Sequence, residues 1–272
     1  MPIVEIRDPD DPRVADFRAL NDASARRRVE TGGPFGGGFF IAEGWRVIER
    51  VVELRRPIRS VLVAETRLDR LVELLGDAAP GTPILMAAPA TIEGVVGFDL
   101  HRGVVATVER PRVPDPQTLA RRSARLLIVE GLNDAENLGV LFRNAAGLGT
   151  HGVAIDPSVG DPLTRRTVRV SMGHVLSVPW TRSAEPWALG DHRRIALTPS
   201  PNAVPLDEIR VEPDEPIALM VGAEGPGLSP AALAAANDLV SIPMARGVDS
   251  LNVASAAAIA MWHLFRLQDS PR

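Results

Sequence analysis

Apolar residues in this chain fall in short runs separated by stretches of helical period, and that alternation predicts most of the elements. After a proline- and acid-rich lead-in at 8–12, the pattern at 14–28 predicts one helix or two short ones, and a glycine-rich loop follows at 32–38. Runs at 39–42, 58–64, 84–87 and 103–108 predict strands. Between them, 44–54 predicts a helix, with Val47, Ile48, Val51 and Val52 on one face, and 68–75 another. Residues 1–112 therefore read as a small α/β domain. Pro111, Pro114 and Pro116, followed by a basic stretch at 121–125, mark a linker at 113–124, because proline at this density interrupts helix and sheet alike. Over 125–272 the alternation resumes. Strands are predicted at 126–130, 152–155, 176–180, 195–198, 217–222 and 240–242, and helices at 138–148, 163–172, 230–236 and 250–267. The run at 126–130 is apolar at nearly every position, as in a strand covered on both faces. The expected class is α/β, with a mostly parallel C-terminal sheet and helices on both faces.

Composition narrows the chemistry. The chain has 272 residues, 45% of them apolar, which supports a large core and excludes a disordered chain. No apolar run is long enough to cross a bilayer, and no basic-then-apolar leader opens the sequence, so the expected setting is the cytoplasm, with no membrane. Cysteine and tyrosine are absent, and all 30 basic residues are arginine. Thiol nucleophiles, cysteine-held metals, Schiff-base lysines and phenolic acids are excluded. The five histidines are scattered (101, 151, 174, 192, 263), and no metal is expected. The net charge of −4 does not advertise a nucleic-acid binder. The arginines cluster nevertheless, at 26–28, at 55, 56 and 59, and at 102, 110, 112, 121, 122 and 125, where only Glu109 and Asp115 oppose them. Such a cluster can follow a phosphate backbone, or be an ordinary solvated face.

Three strand-to-helix junctions of the second half stand out, and ligands of open parallel sheets bind beyond the carboxyl ends of strands. In the first, 133–143, Asn137 stands where a helix would be capped, and Arg143 follows six residues later. Six residues are about 600° of helix, some 240° net, so the two side chains converge only if Asn137 precedes the regular helix. The alternative is a cap and a surface arginine. In the second, 220–229, a buried strand runs into Gly222, Gly225 and Gly227 with Glu224 among them. The spacing is a poor dinucleotide fingerprint, which argues against an oxidoreductase, and the alternative is a tight turn. In the third, 242–258, Ser250 and Asn252 open a helix of small residues; plain N-capping needs only one of them.

These segments resemble the three motifs of the SpoU-type (TrmH-like) branch of the SPOUT superfamily. The matching strings are Asn137-Leu138-Gly139 to Arg143, Gly222 to Ser229 through Glu224-Gly225, and Ile242-Pro243-Met244 to Ser250-Leu251-Asn252-Val253-Ala254. Asp161-Pro162 and Arg169 to Gly173 extend the likeness over nearly all of 125–267. Phe39 to Gly44 and the helix after it resemble, more weakly, the family's ribosomal-protein-like RNA-binding domain. The departures are Asp134-Ala135-Glu136, where a proline-glycine pair is common, and Asn144, where a small hydroxyl residue is common.

The resemblance implies an S-adenosylmethionine-dependent RNA ribose 2′-O-methyltransferase, acting as a homodimer, with a deep trefoil knot in the C-terminal domain. It implies catalytic roles for Asn137, Arg143, Glu224, Ser250 and Asn252, and a cofactor pocket formed by Leu197, Gly222, Ile242, Met244 and Leu251. On this reading Arg143 clamps a phosphate and stabilises the nascent alkoxide, Glu224 holds the guanidinium in register, and Asn137 orients Arg143 or the ribose. The separate N-terminal domain favours ribosomal RNA over transfer RNA as substrate. A non-catalytic RNA-binding factor on the same fold would be expected to have lost motif residues, and all are present.

Overall fold

The computed structural model describes residues 1–22, 38–248 and 250–269. The arginine run at 26–28, positions 32–37 of the glycine-rich loop and Asp249 lie outside the described residues. By its internal contacts the chain divides into two compact units. One comprises Met1–Arg112 with Leu163–Leu176, the other Val113–Pro162 with Ser177–Arg272.

The first unit is built on a five-stranded mixed sheet of β1 (Ile3–Ile6), β2 (Phe39–Glu43), β3 (Ile58–Ala64), β4 (Ile84–Ala87) and β5 (Val104–Glu109), in the order β1-β4-β3-β5-β2. β1 and β3 run parallel to β4, while β5 is antiparallel to β2 and β3. Helices α1 (Trp45–Glu53), α2 (Leu68–Leu75) and α3 (Pro89–Val96) pack on it. α1 buries Val47, Ile48 and Val51, as its spacing predicts. The periodicity did not reveal α3. Pro89 opens it where no N–H is needed, and Gly97 closes it in the left-handed region at φ 83°. Of the helix expected at 14–28, the described part is a 3₁₀ turn, Pro12–Phe17, which sends Val14 and Phe17 into a core with Ile41, Leu62, Leu85 and Val96.

The second unit is built on seven strands: β6 (Arg125–Val129), β7 (Gly152–Ile155), β8 (Trp180–Arg182), β9 (Arg193–Leu197), β10 (Val204–Pro205), β11 (Ile217–Val221) and β12 (Asp238–Ser241). Their order is β10-β12-β9-β11-β6-β7-β8, and every pairing is parallel. The remaining helices are α4 (Pro116–Arg121), α5 (Ala135–Gly147), α6 (Arg165–Val170), α7 (Pro230–Ala235) and α8 (Val253–Asp269); all but α6 belong to this unit. Leu126, Ile128, Ala218 and Met220 form one buried layer with Ala120 of α4 and Ala232 of α7. Their neighbours Leu127, Val129, Leu219 and Val221 are as deeply buried on the opposite face, where α8 packs on β11 and along α5. That two-sided burial explains the uninterrupted apolar runs.

Three expectations need correction. The proline-rich stretch 113–124 holds a helix, α4. Pro116 sits at its first turn, where a missing N–H costs nothing, Asp115 caps it through the Thr118 N–H, and Leu119 and Ala120 are buried. The strand expected at 176–180 begins only after Pro179, as β8, and His174–Leu176 is a 3₁₀ turn. The helix expected at 163–172 spans only Arg165–Val170 and belongs to the first unit. There Arg165 and Arg169 reach Glu43 at 2.6 and 3.3 Å. Glu43 is only 6% exposed, and a carboxylate so buried requires cations.

Candidate active site

Strand order sets the carboxyl ends of β6, β11, β9 and β12 side by side, and the three singled-out segments leave from β6, β11 and β12. After β6, the cap of α5 is Asp134, whose carboxylate accepts the Asn137 N–H at 2.7 Å. Asn137 is thus the third helical residue, not the cap expected from the sequence. After β11, Gly225 (φ 89°) and Gly227 (φ 71°) allow the loop to fold back, and the Gly227 N–H donates to the Ala223 carbonyl at 3.0 Å. A Cβ on Gly222 would collide with the backbone of Gly227 and Leu228. After β12, Asn252 caps α8, its Oδ1 accepting the N–H groups of Ala254 (3.0 Å) and Ser255 (3.3 Å). Ser250 lies before the helix and is exposed, so one residue, Asn252, does the capping.

The three junctions meet in a triangle of side chains. Asn137 Nδ2 donates to Glu224 Oε1 at 3.1 Å. Asn252 Nδ2 donates to the same oxygen at 2.9 Å and to Asn137 Oδ1 at 2.7 Å. Two neutral amides therefore fix the direction of a solvent-exposed carboxylate without neutralising it. Asn144, the residue in place of a small hydroxyl, adds a tie: its Nδ2 donates to the Ala254 carbonyl at 3.0 Å and joins α5 to the first turn of α8.

Beside the triangle lies a cavity of about 610 Å³. Leu197, Gly222, Ile242, Met244 and Leu251 all line it, together with Glu224, Ser250 and Asn252. Thr198 and Pro199 also line it; they follow β9 directly, a position that could have flagged them. Arg143 is elsewhere. With both residues inside α5, its side chain stands about 120° around the helix from Asn137. It borders a second depression, with Asn144, Leu148, Ile259 and Trp262. It has no hydrogen-bond or ion-pair partner among the described residues. The expected Arg143–Glu224 pair is therefore not formed within one chain.

The SpoU rRNA Methylase family matches residues 124–262, and the family of RNA 2′-O ribose methyltransferase substrate-binding domains matches 41–114. An uncharacterized tRNA/rRNA methyltransferase of Mycobacterium bovis is 42% identical over 271 residues, covering 97% of this chain and 92% of its own length. This chain is an RNA methyltransferase of the SpoU family. Among solved structures, an AdoMet-bound rRNA methyltransferase from Sinorhizobium meliloti shares the fold, with a TM-score of 0.79 at 24% identity over 96% of this chain and 97% of its own. The SpoU methyltransferase AviRb from Streptomyces viridochromogenes, in complex with AdoMet, gives 0.72 at 25% identity over 94% and 98%.

In this SpoU enzyme the loop that launches α5 is braced from below. Arg182 Nη1 donates to the carbonyls of Asp156 (2.7 Å) and Val159 (2.8 Å), and Nη2 to that of Gly160 (3.2 Å). Burial lowers the Arg182 pKa, against the opposing pull of Asp161 and Asp156. Asp156 Oδ1 accepts the Gly131 N–H at 2.9 Å, and the Gly160 N–H reaches the Leu132 carbonyl at 3.0 Å. Arg182 was not legible as a site residue, because its partners are carbonyls distant in sequence. Among the described residues, no three His, Cys, Asp or Glu are grouped to hold a metal, and no helix is long and apolar enough to cross a membrane.

Proposed function

We propose that this enzyme methylates a ribose 2′-oxygen in structured RNA, with ribosomal RNA as its main substrate and S-adenosylmethionine as its methyl donor. The observation that carries the reading is the Asn137–Glu224–Asn252 triangle at a cavity lined by all five residues expected to hold the cofactor. The lining fits that donor: Leu197, Ile242, Met244 and Leu251 offer apolar faces to a nucleoside, and Glu224 is the one acid among the described lining residues. S-adenosylmethionine supplies an already activated methyl group when bound.

The chain's task is then to position a hydroxyl and manage its proton. Glu224 Oε1 is taken up by the two amides, and Oε2 is left to accept the hydrogen bond of a ribose 2′-OH. Asn137 and Asn252 hold that acceptor in line, and orientation of this kind can supply roughly 7–11 kcal/mol of barrier reduction. The 2′-hydroxyl itself separates RNA from DNA.

Arg143 enters through a second copy of the chain. It borders a surface that exposes Ile259 (43%) and Trp262 (56%), an apolar patch suited to a homodimer contact, and a guanidinium carried there serves the partner's substrate as phosphate clamp and charge stabiliser. Mixing Arg143→Ala with Asn252→Ala protein tests this: each is inactive alone, and the mixture regains about a quarter of wild-type turnover if sites are shared between copies and dimers form at random. A mixture as dead as its components removes the shared site.

The substrate assignment is tested by mapping 2′-O-methyl marks in ribosomal and transfer RNA from wild-type and deletion strains. Loss of one ribosomal mark is expected. Loss confined to transfer RNA, or to a base methylation, overturns the assignment.

A further inference from the structure

Glu130 lies outside the cavity and outside the three motif strings, yet it holds both ends of the glycine loop. Ser229 caps α7, its Oγ accepting the Ala232 N–H at 3.2 Å. In a reciprocal capping box the residue three positions on is Glu or Gln, which takes the N–H of the cap itself. Here that position is Ala232, fully buried and without an acceptor. The missing carboxylate comes from 99 residues earlier: Glu130 Oε2 accepts the Ser229 N–H at 2.8 Å. The backbone N–H of Glu130 also donates to the Val221 carbonyl at 3.0 Å, at the end of β11.

One residue thus fastens the strand before the loop and the cap after it. Between those anchors lie Gly222 to Leu228, all seven of which line the cavity, with Glu224 among them. Besides Glu130, the loop is tied by the amides of Asn137 and Asn252 at the Glu224 side chain and by the buried Leu228, while its backbone is held only weakly. Its three glycines add conformational freedom, and its internal hydrogen bond, from Gly227 to Ala223, closes only the tip.

We infer that Glu130 is a positioning residue for the methyl donor: through the Ser229 amide it sets the shape of the cofactor wall and the place of Glu224. The role in donor binding rests on the proposed function; the fastening of the loop does not.

The test uses full-length Glu130→Ala and Glu130→Gln proteins. For Glu130→Ala we expect S-adenosylmethionine affinity by calorimetry to fall about tenfold or more, with RNA affinity unchanged. KM for the donor should rise by more than kcat falls, and the amides of 222–229 should exchange faster with solvent. Gln keeps an oxygen acceptor for the Ser229 N–H, so Glu130→Gln should stay within about threefold of wild type. Wild-type donor affinity in Glu130→Ala, or equal impairment of both variants with unchanged exchange in the loop, overturns the inference. If Glu130→Ala does not fold, the wild-type Ser229 amide decides: it must be protected, and exchange at the rate of an open loop refutes the clamp. Failure of the proposed function looks different, since the wild-type protein would then not bind S-adenosylmethionine at all while the exchange difference persisted.

Discussion

Two glutamates, one in each unit, show how differently this chain treats a carboxylate. Glu43 ends β2, is 6% exposed and is met by two guanidiniums. Glu224 sits in a glycine loop, is exposed, and is held by two amides that carry no charge. Arginine neutralises Glu43 and leaves it nothing to do but fasten α6. The amides orient Glu224 and leave its charge available. What distinguishes an oriented, exposed carboxylate from a structural one here is the charge of its partners, more than the number of its bonds.

The largest effect that sharpens this contrast is expected from Glu224→Gln. The side chain keeps its shape and one oxygen but loses its charge and most of its strength as an acceptor. Turnover should fall about 10²-fold or more, with the thermal midpoint nearly unchanged. Single-turnover methylation with labelled donor measures it, and a loss under about threefold would mean that orientation alone, without charge, suffices. Glu43→Ala should do the reverse. It strands Arg165 and Arg169, partly exposed at 22% and 35%, and we expect a loss of roughly 2–3 kcal/mol in denaturant unfolding. Turnover per folded molecule at saturating RNA should stay near wild type. A catalytic defect without a stability loss would break the comparison.

How much of this could be read from the sequence differs between the two glutamates as well. Glu224 was legible because glycines, a buried strand and an acid were contiguous, and Asn252 because a cap must precede a helix of small residues. The partners of Glu43 were not, since Arg165 and Arg169 lie more than a hundred positions away in a helix whose period says nothing about which sheet it joins. Local rules also misplaced boundaries, among them one at the site and one at the linker. Asp134 took the cap that Asn137 was expected to fill, which turned Arg143 away from the triangle. Pro116, read as an interruption, opened a helix. The parallel sheet was legible from its uninterrupted apolar runs, whereas strand order, and with it the meeting of β6, β11, β9 and β12, depends on contacts that no local pattern encodes.

A smaller effect is expected when the neutral partner is made charged. Asn252→Asp keeps an oxygen to cap α8, so helix stability changes little, by about 1 kcal/mol or less. It also replaces the Nδ2 that now donates to Glu224 Oε1 at 2.9 Å with a second acceptor. Two carboxylates at that distance share a proton, and one of them acquires a raised pKa in the folded state. The sign follows from linkage. A folded-state pKa raised above its unfolded value binds protons more tightly when folded, so the variant is destabilised as pH rises above the unfolded carboxylate value and recovers as pH falls. Urea midpoints measured from pH 8 down to pH 4 should approach those of wild type toward the acid end. A constant difference across that range would mean the two side chains part instead of sharing the proton.

The smallest effect comes from a carboxylate whose arginine partner stands in water. The Asp11 side chain is 14% exposed and its partner Arg13 is 53% exposed, and the Arg13 side chain and backbone N–H hold the Asp11 pKa down to about 2. A depressed carboxylate contributes stability above its unfolded pKa and loses it as pH falls through the folded value, here between about 4 and about 2. A pair whose guanidinium stands this far out in water contributes little at neutral pH, because water and salt screen it. Arg13→Ala should therefore move the Asp11 carboxyl titration, followed by NMR, part of the way up toward the ordinary carboxylate value, since the backbone N–H at position 13 remains, while leaving unfolding at pH 7 unchanged within error. If Arg13→Ala cost as much stability as Glu43→Ala, partner charge alone would account for the behaviour of Glu43, and the burial of its arginines would be incidental. If the titration moves and stability does not, the deeper burial of Arg165 and Arg169 is what turns an arginine pair into a structural fastening.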